Sequence, residues 1–266
     1  MIERLSSPDL LEALDANMAG YWIPYGRGPH CTLHAGENGA WFYTGVPHPL
    51  FNGVIRAKFG ADEVEAVREA LQARIMERGA PALWWIGPRA TPGDLGERLA
   101  AAGLQPAGEV PGMAVELGAL PLDADAIPGF SVERIVGAPA QARWARIAGA
   151  GTGFSEGAIE ALARIEVSLG DPQYRAQHRY IGTLDGTPVA SAALVLEHGV
   201  AGVFAVATLP AARRRGIGQL MTLVPLLDAR QLGYRIGVLQ ASSMGRPVYA
   251  KMGFSDVCSY RLFMQS

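Results

Sequence analysis

The run Arg213-Arg-Arg-Gly-Ile-Gly218 stands between an apolar stretch that ends at Pro210 and a segment with helical spacing. Its composition is that of an anion site. Glycine adopts the left-handed backbone that lets successive N–H groups point at one spot, and it has no Cβ to hold a bulky phosphate away. A helix opening at Gly216 adds its unpaired first-turn N–H groups and the positive end of its dipole. The chemistry that suits such a turn is the binding of a phosphate or pyrophosphate. The spacing is not that of a Walker loop, since no Gly-Lys-Ser/Thr follows, nor of the G-x-G-x-x-G dinucleotide fingerprint. Taken alone, the three arginines fit a solvated basic edge equally well.

Stepping outward from this run, the second half of the chain alternates between strand and helix patterns. Strands are predicted over 130–135, 178–184, 189–196 and 200–207, the middle two joined by the turn Asp185-Gly-Thr-Pro188. Amphipathic helices are predicted over 138–148 and 155–168. Helix 216–231 ends before Gly233, strand 235–239 follows, then helix 244–252 stopped by Gly253 and a closing strand over 254–263. Pro225 inside the helix after the glycines predicts a kink there. The first half repeats the end of this order more faintly. Strand 52–59, helix 61–78, strand 82–86, helix 93–102 and strand 113–117 set Gly79 and Gly103-Leu104 where the second half has Gly233 and Gly253-Phe254. The aperiodic stretch Gly118–Gly129, rich in proline, glycine and aspartate, reads as a linker. The expected organisation is a first domain over 1–120, a linker over 121–129 and a second, related domain over 130–266 that carries the glycine and arginine run. The expected class is α/β (α+β), each domain a mixed, mostly antiparallel sheet flanked by helices.

Composition narrows the function classes. The chain has 266 residues, 49% hydrophobic and 18% charged, so it can bury a sizeable core and is not disordered. Lys+Arg 23 against Asp+Glu 25 gives a net charge of −2, which provides no general pull toward nucleic acid or anionic membrane. Cys31 and Cys258 cannot build a disulfide framework, and no Cys/His cluster has zinc spacing. Residues 189–209 are apolar but interrupted by Glu197 and His198, which is too short on either side to span a bilayer. A cytoplasmic protein without nucleic-acid or membrane partners, monomeric or homodimeric, is expected.

Two motifs in order, Arg213-x-x-Gly216-x-Gly218 after Val206-Ala-Thr-Leu-Pro210 and Leu239-Gln-Ala-Ser-Ser-Met-Gly-Arg-Pro-Val-Tyr249-Ala-Lys-Met-Gly-Phe254, resemble the GCN5-related N-acetyltransferases, the GNAT superfamily. The resemblance covers residues 130–266; the first half shares only element order, as in tandem members with one degenerate copy. It implies acetyl-CoA as cosubstrate, lying in a V-shaped opening between the parallel strands 200–207 and 235–239. It implies that Val206, Ala207 and Thr208 pair with the pantetheine arm, and that the backbone N–H near Val206 polarises the thioester carbonyl. It puts Arg213, Arg214, Arg215, Gly216, Ile217, Gly218 and Gln219 around the pyrophosphate. It aligns Ser242 with a cofactor-contacting asparagine, although a helix N-cap explains this serine equally well. Tyr249 aligns with the general acid that protonates the departing thiolate, the alternative being packing beneath its helix. The acceptor implied is a primary amine on a small molecule or peptide.

Two departures stand out. The position where some members carry a basic glutamate is Gly237, and Glu156, Asp185, His178, Glu197 and His198 are unranked substitutes. In the first half, Phe59-Gly-Ala-Asp-Glu63 puts acids where a pyrophosphate would sit, and Leu99 occupies the tyrosine position. That half is expected not to bind acetyl-CoA. Its aromatic stretch, Tyr21 to Tyr25 and Trp41 to Tyr43 with His30, His34 and His48, reads as core or as a wall of the acceptor pocket. The missing base and the degenerate half leave open a CoA-binding or partner-binding protein with weak catalysis.

Overall fold

The computed structural model describes residues 1–121, 126–170 and 176–266; residues 122–125 of the expected linker lie outside that set. The first half contains α1 (Leu10–Trp22), β1 (Thr32–Gly36), β2 (Gly39–Tyr43), β3 (Asn52–Ile55), α2 (Ala61–Arg78), β4 (Ala82–Ile86), α3 (Leu95–Ala101) and β5 (Gln105–Glu116). The second contains β6 (Phe130–Ile135), α4 (Ala138–Thr152), α5 (Glu156–Leu169), β7 (Gln177–Leu184), β8 (Thr187–Glu197), β9 (Val200–Thr208), α6 (Ile217–Gln231), β10 (Ile236–Gln240), α7 (Arg246–Lys251) and β11 (Ser255–Gln265). The class is mixed α/β, and the order β3–α2–β4–α3–β5 repeats as β9–α6–β10–α7–β11. Helix α6 carries Pro225 without ending there.

All eleven strands form one sheet, in the order β1-β2-β3-β4-β11-β5-β10-β9-β8-β7-β6. Most neighbours are antiparallel; the parallel pairs are β3 with β4 and β9 with β10. The last strands of the two halves have changed places. Strand β5 pairs with β10 of the second half, from Ile236 opposite Glu116 to Gln240 opposite Gly112. Strand β11, the last in sequence order, pairs with β4 of the first half and with β5. Each half completes the sheet of the other.

Strands buried on both faces read as continuous apolar runs, and Ala82-Leu-Trp-Trp-Ile86 and Ile236-Gly-Val-Leu239 do so. One face of the sheet is covered by α1, α4 and α5, whose buried side chains meet Leu83, Trp85, Ala193, Val195, Phe204 and Val238. On the opposite face α6 covers the second half and α2 with α3 the first. Helix α1 belongs to the first half yet lies on β8 and β9. The Asn17 amide donates to the carbonyls of Val195, Glu197 and Val200, and it sits where Gly202 leaves no side chain in the way.

The aromatic stretch is core. Tyr21, Trp22, Tyr25 and Phe51 interlock edge to face, and Tyr21 stacks on Phe204 at 4.4 Å. Beneath them a buried ion pair joins Arg179 of β7 to Glu166 of α5 at 3.1 Å, with side chains 3% and 0% exposed. The Tyr25 hydroxyl donates to the same carboxylate, and the Arg179 guanidinium lies 4.6 Å from the Trp144 ring. Removing one member of such a pair strands the other charge in a low dielectric. Arg179→Met is therefore expected to lower unfolding stability by about 3–5 kcal/mol, with Glu166→Leu/Arg179→Met recovering much of the loss, as read by urea denaturation.

Candidate active site

Strands β9 and β10 hold each other only at Ala201–Gly237 and Gly202–Val238. Beyond Gly202 they diverge, and the β10-facing edge of β9 is left unpaired up to Thr208. The divergence is reinforced within β9. Ala205 has a left-handed backbone, φ 48°, and the register against β8 slips between Ser191 and Ala193. The Ser191 hydroxyl donates to the Ala205 carbonyl at 2.9 Å and fixes this bulge. A bulge re-aims the backbone next to it, here Val206.

The loop after β9 has an unusual backbone. Arg214 and Gly216 both take positive φ, 61° and 80°, and Gly216 caps α6. At the start of α6 the N–H groups of Gln219 and Leu220 donate to the Gly216 carbonyl at 3.0 and 3.3 Å, which leaves those of Ile217 and Gly218 without a partner inside the helix. A Cβ on Gly218 would meet nothing within 4 Å, so this side is open space. Arg213 differs from its neighbours. Its Nε donates to the Thr208 carbonyl at 3.0 Å and its Nη2 to the Gly151 carbonyl at 2.9 Å, so it braces the strand end against α4.

Strand edge, loop and α7 enclose one cleft of about 430 Å³. Its lining includes Val206, Ala207, Thr208, Arg213, Arg214, Gly216, Ile217, Gly218, Gln219, Ser242 and Tyr249. Arg215 is exposed and is not part of that wall. Ser242 does both things the sequence allows: it lines the cleft, and its Oγ accepts from the Gly245 N–H at 3.1 Å at the start of α7. Burial pushes the Tyr249 phenol up to about 12, with Thr222 beside it pulling the other way. The phenol is therefore a protonated donor at any physiological pH.

Sequence reasoning missed Gly151, Met244, Gly245, Val248 and Lys251, which also line the cleft. Gly151 reaches it from the last turn of α4, where a Cβ would come 2.9 Å from that of Ala207. Only the fold brings those positions together. Lys251 sits two residues past Tyr249 and was within reach of the motif argument as a second cation. None of Glu156, Asp185, His178, Glu197 and His198 lines the cleft. His198 precedes β9, eight residues from Val206, roughly 26 Å along an extended strand. Gly237 has no room for an acid, since a Cβ there would lie 3.0 Å from Leu117 and Leu226.

The matching place in the first half is shut. The Thr91 N–H donates to the Ala57 carbonyl at 2.8 Å and the Phe59 N–H to the Thr91 carbonyl at 3.1 Å, filling the gap between the segments after β3 and β4. Lys58 and Arg89 both close on Glu12 of α1, at 2.9 and 2.8 Å. At the α2 start the Gly60 N–H donates to Glu63 at 2.6 Å, so the helix end holds its own anion. Leu99, at the tyrosine position, is packed in the first-half core.

A V between parallel strands, a bulge, and a glycine loop opening a helix occur together only in the second half among the described residues. Residues 154–254 match the sequence model of the acetyltransferase (GNAT) family. That segment carries the sequence of an acetyltransferase of the GNAT type, a family of acyl-transfer domains. Solved structures share the fold of the whole chain at low identity. A GCN5-related N-acetyltransferase from Kribbella flavida is 20% identical with a TM-score of 0.68, over 95% of both chains. A tandem GNAT protein from the clavulanic acid biosynthesis pathway is 14% identical with a TM-score of 0.60, over 98% of this chain and 89% of that one. A GCN5-related N-acetyltransferase from Sphaerobacter thermophilus is 16% identical with a TM-score of 0.57, over 99% and 95%. No curated protein matches the chain. Among the described residues no helix is long and apolar enough to cross a membrane.

The GNAT loop depends on Arg213 as a brace. Arg213→Lys keeps the charge but loses the two-pronged grip on Thr208 and Gly151. It is expected to cost about 1.5–3 kcal/mol of stability by denaturant unfolding and to speed amide hydrogen exchange from Thr208 to Gly218.

Proposed function

We propose that this chain transfers the acetyl group of acetyl-CoA to a primary amine by direct attack on the thioester. The observation that carries the reading is the unpaired edge Val206–Thr208 in one cleft with the Gly216–Gly218 loop and a protonated Tyr249. In this reading the pantetheine arm lies along β9 as an added strand, its amides pairing with backbone groups that no neighbour uses. The pyrophosphate rests on the N–H groups of the loop and the first turn of α6, with Arg214 and Lys251 as cations at the same cleft.

The chemistry then follows from residues of this chain. The amine nitrogen forms a bond to the acetyl carbon while the carbonyl oxygen gains charge, and an N–H of the bulged backbone at Val206 stabilises that charge. The C–S bond breaks as the carbonyl re-forms, and the departing thiolate takes the Tyr249 proton. A phenol near 12 gives up its proton only to a strong base at close range, and the phenolate recovers it from solvent or from the proton released by the amine. With no carboxylate or imidazole of the five candidates in the cleft, the amine is taken up in its neutral form or loses its proton to water.

Three outcomes test this. Gly218→Asp is expected to fold normally, because the site is open, and to abolish acetyl-CoA binding in calorimetry by setting a carboxylate against the pyrophosphate. Tyr249→Phe is expected to lower kcat about 10²–10⁴-fold with little change in CoA affinity, followed as free thiol released in the presence of amine pools. The phenol is protonated below about 12 and loses its proton only above it, so kcat is expected not to fall between pH 7 and 10. A decline there, absent in Tyr249→Phe, would contradict the assignment of the acid.

A further inference from the structure

A second cavity, about 370 Å³, opens on the seam between the two halves and shares no lining residue with the acyl-transfer cleft. Three first-half segments wall it: Pro29-His30, Thr44-Gly-Val46 and Arg78 at the end of α2. The fourth wall is α5, through Ala161, Arg164, Ile165 and Ser168. The charge in it has one sign. Arg78 and Arg164 both face the cavity, and among the described residues neither has a carboxylate within ion-pair distance. The acids nearest in sequence are taken: Glu77 pairs with Arg74 at 2.8 Å, Glu166 with Arg179 at 3.1 Å, and Glu160 closes both oxygens on Arg146 at 2.7 and 2.9 Å.

Arg78 is held in place by neutral groups. Its Nη1 donates to the His30 carbonyl at 2.7 Å. Its guanidinium packs on the bare backbone of Gly45, whose φ is 75° and where a Cβ would fall 2.7 Å from the Arg78 Cζ. A guanidinium positioned by a carbonyl and a glycine, with a second guanidinium across a cavity, presents forks that match planar or tetrahedral oxyanions. The long apolar stems of ordinary surface arginines would need no such bed.

We infer that this seam cavity binds a small organic anion bearing a carboxylate or phosphate group, gripped by Arg78 of the first half and Arg164 of the second. Because the two cations come from different halves, the bound anion bridges them and stabilises the folded chain by mass action.

The test is thermal unfolding of the full chain with inorganic phosphate and, separately, citrate, on wild type, Arg78→Gln, Arg164→Gln and Arg214→Gln. All three are exposed arginines, so the variants are expected to keep the wild-type circular dichroism. In wild type and Arg214→Gln at least one anion raises Tm by roughly 2–5 °C beyond the general salting-out effect common to all four proteins. That excess disappears in Arg78→Gln and Arg164→Gln. A response to phosphate alone assigns a phosphoryl group, and one to citrate alone a carboxylate. No excess in wild type, an excess unchanged in both seam variants, or an excess lost only in Arg214→Gln overturns the inference, the last by assigning the anion to the acyl-transfer cleft. None of these readouts uses acetyl-CoA, so failure of the acetyltransferase reading leaves the test intact.

Discussion

The pairing of β5 with β10 is the constraint on which the site depends. A strand cannot leave its neighbour without exposing backbone donors and acceptors unless something else satisfies its other edge. Strand β10 parts from β9 after Val238 because all five of its residues are in register with β5 on the far side. The cleft is therefore open on one side of β10 and anchored on the other, and the anchor comes from the first half. That half contributes no side chain to the cleft lining, yet it supplies the strand that lets the cleft exist.

The two halves are also joined in depth. Helix α1 crosses from one to the other over the sheet, with Asn17 donating to three carbonyls of β8 and β9 and Glu12 holding Lys58 and Arg89 over the closed first-half gap. The buried Arg179–Glu166 pair and the Tyr25 hydroxyl stand where first-half aromatics meet α5. Duplicated architecture has been put to two uses here. One copy keeps its strands apart and its helix end bare. The other zips the same opening with Thr91 and fills the same helix end with Glu63.

Much of the candidate site's geometry was legible because its signals are local. Gly216 and Gly218 need their conformations whatever surrounds them, and Tyr249 sits at fixed distance from Gly253-Phe254. The closed first-half cleft was foreshadowed by Asp62, Glu63 and Leu99. Missed features are those in which distant segments meet. Helix α1 has buried polar residues, Asp15 and Asn17, that blur its apolar stripe, so its periodicity gave no helix. Strands β1 and β2 hid in a stretch read for its aromatics alone. Strand β3 ends at Ile55, four residues short of the expected Phe59, because Arg56 takes a left-handed turn, and β5 runs back to Gln105 because β11 extends its ladder. Arg213 reads in the sequence as a phosphate ligand, and the structure adds a bracing role that rests on a carbonyl sixty-two residues away.

The place of β11 bears on how the chain matures during synthesis. It is the last eleven-residue strand to be made, and it fills the slot between β4 and β5 of the first half. On a ribosome the first half emerges with β4 paired to β3 on one edge only, its other edge waiting for β11. The usual order, in which an N-terminal domain finishes before its successor appears, is closed to this protein. Its first half waits for residues 255–265, which are made after every other strand of the sheet.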